Sequence, residues 1–305
     1  MGKIAFLFAG QGAQSVGMGR DLYEQAPAAR RIFEHGEAVA PGILRCCFEG
    51  PSELLNETVN TQPCLFLTDL ACAATLAEAG LLAEGAAGFS LGEVPAVCFS
   101  GMLSLEAAFA LVCERAAAMQ ECARKNPGEM FAILRLNAAE VEELCAGLSR
   151  AYPVNYNSPQ QTVVACGSEA AEALKQAVTQ RGGKALKLAV SGAFHCALME
   201  DAAITLAGRL ATESFAPARI PVYANLTGQP YDDNPAMLLS KQVTNPVRWQ
   251  TLITNMIADG FDTFIEVGAG RVLSKLMPKI APQAHVLQVS NWQELQNTLA
   301  EVQAC

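Results

Sequence analysis

The sequence predicts an α/β fold in which a small domain interrupts a larger one. Short apolar runs typical of buried strands occur at residues 3–9, 221–224, 263–267 and 285–289. Residues 130–190 instead show the order strand, helix, strand, strand, helix, strand of the split βαβ, ferredoxin-like unit. Its strands are predicted at residues 130–136, 154–156, 162–166 and 185–190, and its helices at residues 138–149 and 169–181. Because α/β alternation resumes afterwards, we expect this unit to be an insert in a discontinuous main domain.

The first strand, KIAFLFA at residues 3–9, leads into a glycine-containing loop. This loop does not fit the dinucleotide-binding fingerprint, because Ser15 stands where the third glycine belongs. Farther along, apolar residues recur at helical spacing and predict a long amphipathic helix over residues 104–124. Ser104 is suited to cap the amino end of this helix.

The composition is that of a globular protein without a membrane span. The chain has 305 residues, of which 51% are hydrophobic and 17% charged, enough to bury a large core. No apolar run approaches the roughly 18 residues of a transmembrane helix, and the amino terminus lacks a signal-peptide core. We therefore expect a cytoplasmic protein with no membrane partner.

Charge and cysteine usage exclude two further classes. The net charge of −9 argues against a nucleic-acid partner, because phosphate binding requires clustered Lys and Arg. The eleven cysteines include no Cys-x-x-Cys pair, so we expect reduced thiols and no metal site.

A candidate nucleophile lies in the pentapeptide from Gly88 to Gly92. The sequence Gly-Phe-Ser-Leu-Gly fits the nucleophile elbow, in which two glycines allow a sharp turn from strand to helix and expose the hydroxyl of Ser90. An ordinary Gly/Ser turn is the alternative. The flanking residues favour the elbow, since small residues precede it and a helix with Pro95 near its first turn can follow.

A nucleophilic serine needs a base, and the chain has three histidines. His35 follows a charged amphipathic stretch and is expected at the solvated surface, and His285 begins a late strand. His195 lies in a glycine-containing loop after a strand, a common place for catalytic groups. It is the candidate base, with a hydrogen-bonded structural histidine as the alternative.

Arg115 borders the apolar stripe of its predicted helix and should be at least partly buried. One explanation is a side chain whose charged head reaches water. The other is a guanidinium at the edge of a pocket, where it can bind a carboxylate through two parallel hydrogen bonds. The second explanation predicts substrates with a free acid.

Several segments, in order along nearly the whole chain, carry a family resemblance. They are FLFAGQGAQSVGMG, GFSLGE, RAAAMQ, VNYNSPQQTVVAC, SGAFHCALM, KQVTNPVRW and FIEVGAGRVL. Together they resemble the malonyl-CoA:acyl-carrier-protein transacylases of fatty-acid synthesis and the acyltransferase domains of polyketide synthases.

The resemblance and the elbow specify the fold class as α/β, with an α/β-hydrolase-like large subdomain and an inserted ferredoxin-like small subdomain. We place the large subdomain at residues 1–126 and 192–305, and the small one at residues 127–191.

The resemblance also implies catalytic roles. Ser90 would form the acyl-enzyme ester, and His195 would act as general base and then as the acid for the leaving thiolate. The backbone carbonyl of Gln242 would orient the imidazole in place of a carboxylate. The backbone amides of Gln11 and Leu91 would form the oxyanion hole.

The implied substrates are malonyl-CoA and the phosphopantetheine thiol of an acyl carrier protein, without a metal or other cofactor. Arg115 would pair with the malonyl carboxylate, and Gln62 and Asn157 match positions near the acyl pocket. Phe194, before the histidine, is the pattern associated with malonyl rather than methylmalonyl.

Five positions depart from the family pattern. Most relatives have His at the position of Phe89 and Tyr-Ser at Val94 and Pro95, and they have Pro at Ala9 and Ala269. None of these changes removes a group that makes or breaks a bond, but three of them flank the elbow and bear on pocket shape and acyl preference.

Two rival functions fit the same residues. One is a thioester hydrolase that uses the same serine and histidine with water as the acceptor. The other is a carrier-binding module with weak catalysis. Docking of an acidic carrier on this acidic chain would need a local basic cluster, and two candidates are Arg181, Lys184 and Lys187, and Arg271, Lys275 and Lys279.

Overall fold

The structure is a computed structural model and describes residues 2–303. Its nine strands are Lys3–Phe8 (β1), Gly85–Gly88 (β2), Gly128–Leu134 (β3), Ala151–Ser158 (β4), Gln161–Gly167 (β5), Lys184–Lys187 (β6), Val222–Tyr223 (β7), Phe261–Val267 (β8) and His285–Val289 (β9). The α-helices are Arg20–Gln25 (α1), Pro27–Val39 (α2), Ile43–Glu49 (α3), Ser52–Leu55 (α4), Thr58–Glu78 (α5), Glu93–Phe99 (α6), Leu105–Lys125 (α7), Ala138–Ala146 (α8), Ala171–Gln180 (α9), Glu200–Leu210 (α10), Pro235–Gln242 (α11), Trp249–Ala258 (α12), Val272–Ile280 (α13) and Trp292–Gln303 (α14).

The main sheet has five parallel strands in the order β7-β2-β1-β8-β9. β1 lies at its centre, and its last residue, Phe8, pairs with Gly88 on one side and Val267 on the other. All carboxyl ends of these strands therefore meet at one edge, where α/β proteins place their binding sites. The loops after β1, β2 and β8 are brought together there.

The second sheet has four antiparallel strands in the order β4-β5-β3-β6, and its elements are confined to residues 128–187. Apolar side chains of β3, β5, α8 and α9, among them Phe131, Leu144, Val164 and Leu174, form a core of its own. The predicted α/β fold class with a ferredoxin-like unit is thus confirmed. The exact subdomain boundaries at residues 126/127 and 191/192 stay a prediction.

Individual elements differ in length from the sequence prediction. The long helix is α7, and the Ser104 hydroxyl accepts a hydrogen bond of 3.1 Å from the amide of Ala107, as a cap should. The strand predicted at 185–190 spans Lys184–Lys187, and one further bond joins it to β3, from the amide of Leu188 to the carbonyl of Met130 at 2.9 Å. The chain then continues into the loop that carries His195. The strand predicted at 221–224 keeps only two residues at the sheet edge.

The two sheets are joined by the chain between α11 and α12. The amide of Tyr156 in β4 donates to the carbonyl of Val247 at 2.9 Å, and the amide of Val247 donates to the carbonyl of Val154 at 2.8 Å. Val247 follows α11, whose last residue is Gln242. The small sheet is therefore bonded to the segment that also supplies a predicted site residue.

Helix α5 crosses the core and is buried along most of its length, including a charged residue, Asp69. Both carboxyl oxygens are buried and have no hydrogen-bond partner within residues 2–303. Burial is the main cause that raises the pKa of Asp69 well above its ordinary value of 3.8, and the nearby carboxylate of Glu266 adds to it. The neighbouring backbone amides of Ala269 and Ala9 oppose this rise only in part.

Within residues 2–303, no helix is both long and apolar enough to cross a bilayer. The cysteines in this part of the chain are free thiols and, apart from the partly exposed Cys113, are buried.

We expect Asp69→Asn to stabilise the protein, and more so at pH 8 than at pH 4.5. A carboxyl group whose folded-state pKa is raised binds its proton more tightly in the folded state, so it lowers stability as the pH rises above about 4. The melting temperature at pH 8 should rise by at least about 2 °C. Calorimetry at both pH values checks this, with the exposed Asp233→Asn as control. An equal shift at both pH values would contradict it.

Candidate active site

Ser90 is separated from the end of β2 by one residue and lies at the start of a 3₁₀ turn, Ser90–Gly92, that leads into α6. Its φ of 53° is in the left-handed region, which is uncommon for a residue with a side chain. The turn is sharp because Gly88 and Gly92 have no side chains. A Cβ on Gly88 would lie 1.9 Å from the carbonyl carbon of Gly92, and one on Gly92 would lie 2.2 Å from the carbonyl oxygen of Phe8. The geometry is that of the predicted elbow.

Hydrogen bonds on both sides hold the unusual backbone of Ser90. Its amide donates to Oδ1 of Asn225 at 2.7 Å, and its carbonyl accepts from Nε2 of Gln242 at 2.6 Å. Asn225 in turn donates to the carbonyl of Gly88 at 2.6 Å. A residue in a sparsely populated conformation persists only when its surroundings fix it, and these bonds do so.

His195 is brought to the serine from the loop after β6. Its Nε2 lies 2.6 Å from Oγ of Ser90, and its Nδ1 lies 2.9 Å from the backbone carbonyl of Gln242. A carbonyl oxygen only accepts hydrogen bonds, so Nδ1 carries the proton and Nε2 is left with a free lone pair. The imidazole is therefore oriented to accept the serine proton.

The environment keeps this imidazole neutral. Burial, and then the positive charge of Arg115, lower the pKa of His195 to about 4 from the ordinary 6.5. At neutral pH the ring is unprotonated and available as a base.

Arg115 extends from α7 into the same site and is only 2% exposed. Its guanidinium donates to Oε1 of Gln62 at 2.7 Å, to Oε1 of Gln242 at 2.8 Å and to Oγ of Ser90 at 3.3 Å. Burial lowers the pKa of Arg115 to about 10, so it remains a cation at neutral pH. Of the two explanations given by the sequence, the structure supports the fixed cation in a pocket.

Other predicted residues lie around this centre. Gln62 contacts Arg115 directly, and Leu91 follows the serine in the elbow. Gln11 is on the loop after β1, and its side chain donates to Oγ1 of Thr58 at 3.3 Å. This loop packs on the elbow, since a Cβ on the preceding Gly10 would lie 2.5 Å from the carbonyl oxygen of Phe89.

Asn157 is less closely connected. It lies in β4, 6% exposed, and its amide oxygen is buried without a hydrogen-bond partner within residues 2–303. The described hydrogen bonds do not join it to the Ser90 centre.

The expectation that His35 is a solvated surface residue is met only in part, because its side chain is half-buried. Its ring packs edge-on against Phe109, with centroids 6.2 Å apart, and its Nε2 is buried. The reason is that α2 packs on α7, which covers the face that carries His35. His285 begins β9 as expected and contacts Glu301 at 2.9 Å.

Glu93, which follows the elbow and is 1% exposed, was not predicted as a site residue from the sequence. Its Oε2 accepts from Nε2 of Gln242 at 2.5 Å, and its Oε1 accepts from Oη of Tyr231 at 2.6 Å and from the amide of Asn225 at 3.1 Å. Burial raises the pKa of Glu93 to about 7, against these hydrogen bonds and Arg115, which lower it. The available signal was an acidic residue within the apolar run LGEVPAVCF.

The residues that depart from the family pattern pack around the elbow. The Phe89 ring contacts Trp249, with centroids 5.4 Å apart. Pro95 is the third residue of α6, where a missing amide is tolerated. Val94 lines a small, largely apolar cavity that also reaches Arg115 and Gln242.

Comparison with known proteins agrees with this geometry. The family model of the acyl transferase domain matches residues 5–290. The chain belongs to the acyl transferase family. Within it, the malonyl-CoA–acyl carrier protein transacylase of Bacillus subtilis strain 168 is 36% identical over 299 residues, which cover 95% of this chain and 94% of that protein. The predicted resemblance is therefore confirmed.

Two solved structures of acyl transferase family members show the same fold. One is the malonyl CoA-acyl carrier protein transacylase of Clostridium perfringens, with a TM-score of 0.95 and 36% identity over 99% of this chain and 98% of that one. The other contains a malonyl-transacylase in complex with a type II polyketide synthase acyl-carrier protein. It has a TM-score of 0.94 and 32% identity, over 98% of this chain and 99% of that one.

We expect Gly88→Ala to disrupt the elbow and to destabilise the fold by several kcal/mol, because its Cβ has no space. Gly208→Ala in α10 is the matched control. Its Cβ meets nothing within 4 Å, and alanine favours a helix, so this variant should be at least as stable as the native protein. Urea unfolding measures both, and equal stability of the two variants would contradict the steric argument.

Proposed function

We propose that this protein transfers a malonyl group from malonyl-CoA to the phosphopantetheine thiol of an acyl carrier protein, through an ester on Ser90. The observation that carries the proposal is the position of the Ser90 hydroxyl, 2.6 Å from the imidazole of His195 and 3.3 Å from the guanidinium of Arg115. A nucleophile thus lies between a neutral base and a buried cation. Membership of the acyl transferase family supports the same reaction class.

In the proposed acylation, Nε2 of His195 accepts the hydroxyl proton while Oγ of Ser90 attacks the thioester carbonyl. The backbone amides of Leu91 and Gln11 stabilise the resulting oxyanion, an effect worth about 3 kcal/mol per donor. When the tetrahedral intermediate collapses, the C–S bond breaks and the imidazolium gives its proton to the departing thiolate of CoA. The carrier thiol then reverses these steps and takes the malonyl group.

Within residues 2–303, His195 bonds to a backbone carbonyl and not to a carboxylate, which fits this exchange. Its Nδ1–H meets a neutral carbonyl, and Arg115 lies close by, so the imidazolium is less stable than in a triad with an acid. A weakly stabilised imidazolium returns its proton readily to the leaving thiolate. This property suits thiol-to-serine and serine-to-thiol transfer, in which the same proton moves in both directions.

Arg115 provides the proposed selectivity for a free acid. In the structure its donors are occupied by two glutamine oxygens and the serine hydroxyl, all of them neutral acceptors. A short acyl group on Ser90 would bring its distal carboxylate to this cation, which forms stronger bonds to an anion than to an amide. The malonyl group, with one carbon between its two carboxyl carbons, matches this short distance.

The first test is the fate of the malonyl group. After mixing with malonyl-CoA, intact-mass analysis should show one malonyl ester, absent in Ser90→Ala, and added carrier protein should remove it as malonyl-carrier product. Release of free malonate without that product would instead indicate a hydrolase. No adduct at all would indicate a carrier-binding module, and either result would overturn the proposal.

The second test is acyl selectivity. Arg115→Ala should lower malonyl transfer by at least about 100-fold, because a buried charged contact is lost, and should affect acetyl transfer much less. Arg124→Ala, at the exposed end of the same helix, is the matched control and should change neither rate. Acyl-CoA competition assays measure the ratio, and an equal loss of both activities would exclude the carboxylate contact.

The proposal also includes the location of the enzyme, its cofactors and the surface on which the carrier docks. We place the enzyme in the cytoplasm and assign it no cofactor besides its CoA substrate. The carrier would dock at one of the two basic clusters predicted above. In the structure three members of these clusters, Arg181, Lys187 and Arg271, are each bound to a carboxylate. Lys184, Lys275 and Lys279 are exposed and form no ion pair within residues 2–303, so they are the candidates for carrier contacts.

A further inference from the structure

Gln242 connects all three groups of the Ser90 centre. Its backbone carbonyl accepts from Nδ1 of His195, its Oε1 accepts from Arg115, and its Nε2 donates to the carbonyl of Ser90. The residue is 2% exposed, so no solvent replaces these bonds. A rotation of its amide by 180° would place N–H donors against the donors of Arg115. The orientation of this one amide therefore matters for the whole site.

Glu93 is the group that fixes this orientation. Its Oε2 lies 2.5 Å from Nε2 of Gln242, and a carboxylate only accepts hydrogen bonds. The guanidinium of Arg115, on the other side of the amide, only donates. An amide placed between an acceptor and a donor has one allowed orientation. The other oxygen of Glu93 is itself fixed by Tyr231 and the amide of Asn225.

We infer that Glu93 is a positioning residue of the active site, which orients the Gln242 side-chain amide and through it the guanidinium of Arg115. The ring of His195 is bound by the backbone carbonyl of the same residue and so reports on the state of Gln242. The inference rests on the proposed function only where malonyl selectivity is concerned. Glu93 does not contact the reacting atoms, and its effect is transmitted through Gln242.

Titration of Glu93 would give the site a specific pH response. The charged and titratable groups that face Glu93 are Tyr231 and Arg115, and the polar groups are Gln242 and Asn225. With a pKa of about 7, Glu93 becomes protonated as the pH falls below neutral, and it then holds the amide less firmly. Burial and Arg115 lower the pKa of His195 to about 4, so its titration lies well below that of Glu93.

Glu93→Gln is the decisive variant because it keeps the shape and removes the double acceptor. A glutamine must turn its NH₂ group either to the Gln242 amide or to the backbone amide of Asn225, and both present N–H donors. We expect malonyl transfer to fall by at least about tenfold, with a smaller fall in acetyl transfer. A cooperative unfolding transition near that of the native protein shows that the fold is kept.

Tyr231→Phe is the matched control. It removes one hydrogen bond to Glu93 and leaves the bond to Gln242 in place. The Tyr231 bond lowers the pKa of Glu93, so its loss should move the activity change near pH 7 to higher pH. In Glu93→Gln the same change should disappear.

A measurement independent of activity separates this inference from the proposed function. The chain has three histidines, so ¹⁵N-histidine labelling gives three ring signals, and substitutions of His35 and His285 identify that of His195. The His195 signal should shift near pH 7 in the native protein and not in Glu93→Gln. If it shifts equally in both, or if malonyl and acetyl transfer fall equally in the variant, Glu93 does not position the site, whatever reaction the native protein catalyses.

Discussion

The positive charge of Arg115, buried at 2% exposure beside the nucleophile, constrains the rest of the site. A guanidinium removed from water needs acceptors for its N–H groups, and the fold supplies them from α5, α11 and the elbow. Burial, and then this charge, lower the pKa of His195, so the base is neutral at pH 7. The buried cation thus affects the nucleophile and the base together.

The second constraint is steric and acts on the backbone. The elbow is so tight, and lies so close to the end of β1, that Gly88 and Gly92, two residues before and two after the serine, have no room for a side chain. This closeness places the serine amide within reach of Asn225 and its carbonyl within reach of Gln242. The tight turn brings the backbone of Ser90 to these two side chains, and their hydrogen bonds hold the turn in its strained conformation.

Sequence reasoning reached the residues whose chemistry is visible in local patterns. Ser90 lies in a Gly-x-Ser-x-Gly motif, His195 lies in a loop after a strand, and Arg115 lies beside the apolar stripe of a helix. The family resemblance indicated that the three belong to one site. Their mutual distances depend on three separate stretches of chain and could not be derived from spacing. Gln242 was expected to act through its carbonyl alone, because side-chain hydrogen bonds leave no periodic signal.

The burial of Glu93 and His35 is a second feature that could not be predicted from the sequence. Glu93 was not singled out, because hydropathy patterns treat an isolated acid in an apolar run as noise. His35 was placed at the surface, since a charged helical stretch does not reveal which of its faces another helix covers. Burial of a single polar residue depends on which other elements pack against it, and this packing leaves no signal in the local sequence.

The pairing of Val247 with β4 has a mechanical consequence. The small sheet is held by the same stretch of chain whose preceding helix ends at the residue that supports the imidazole. A short stretch of chain therefore links the position of the small sheet to the alignment of the proton acceptor.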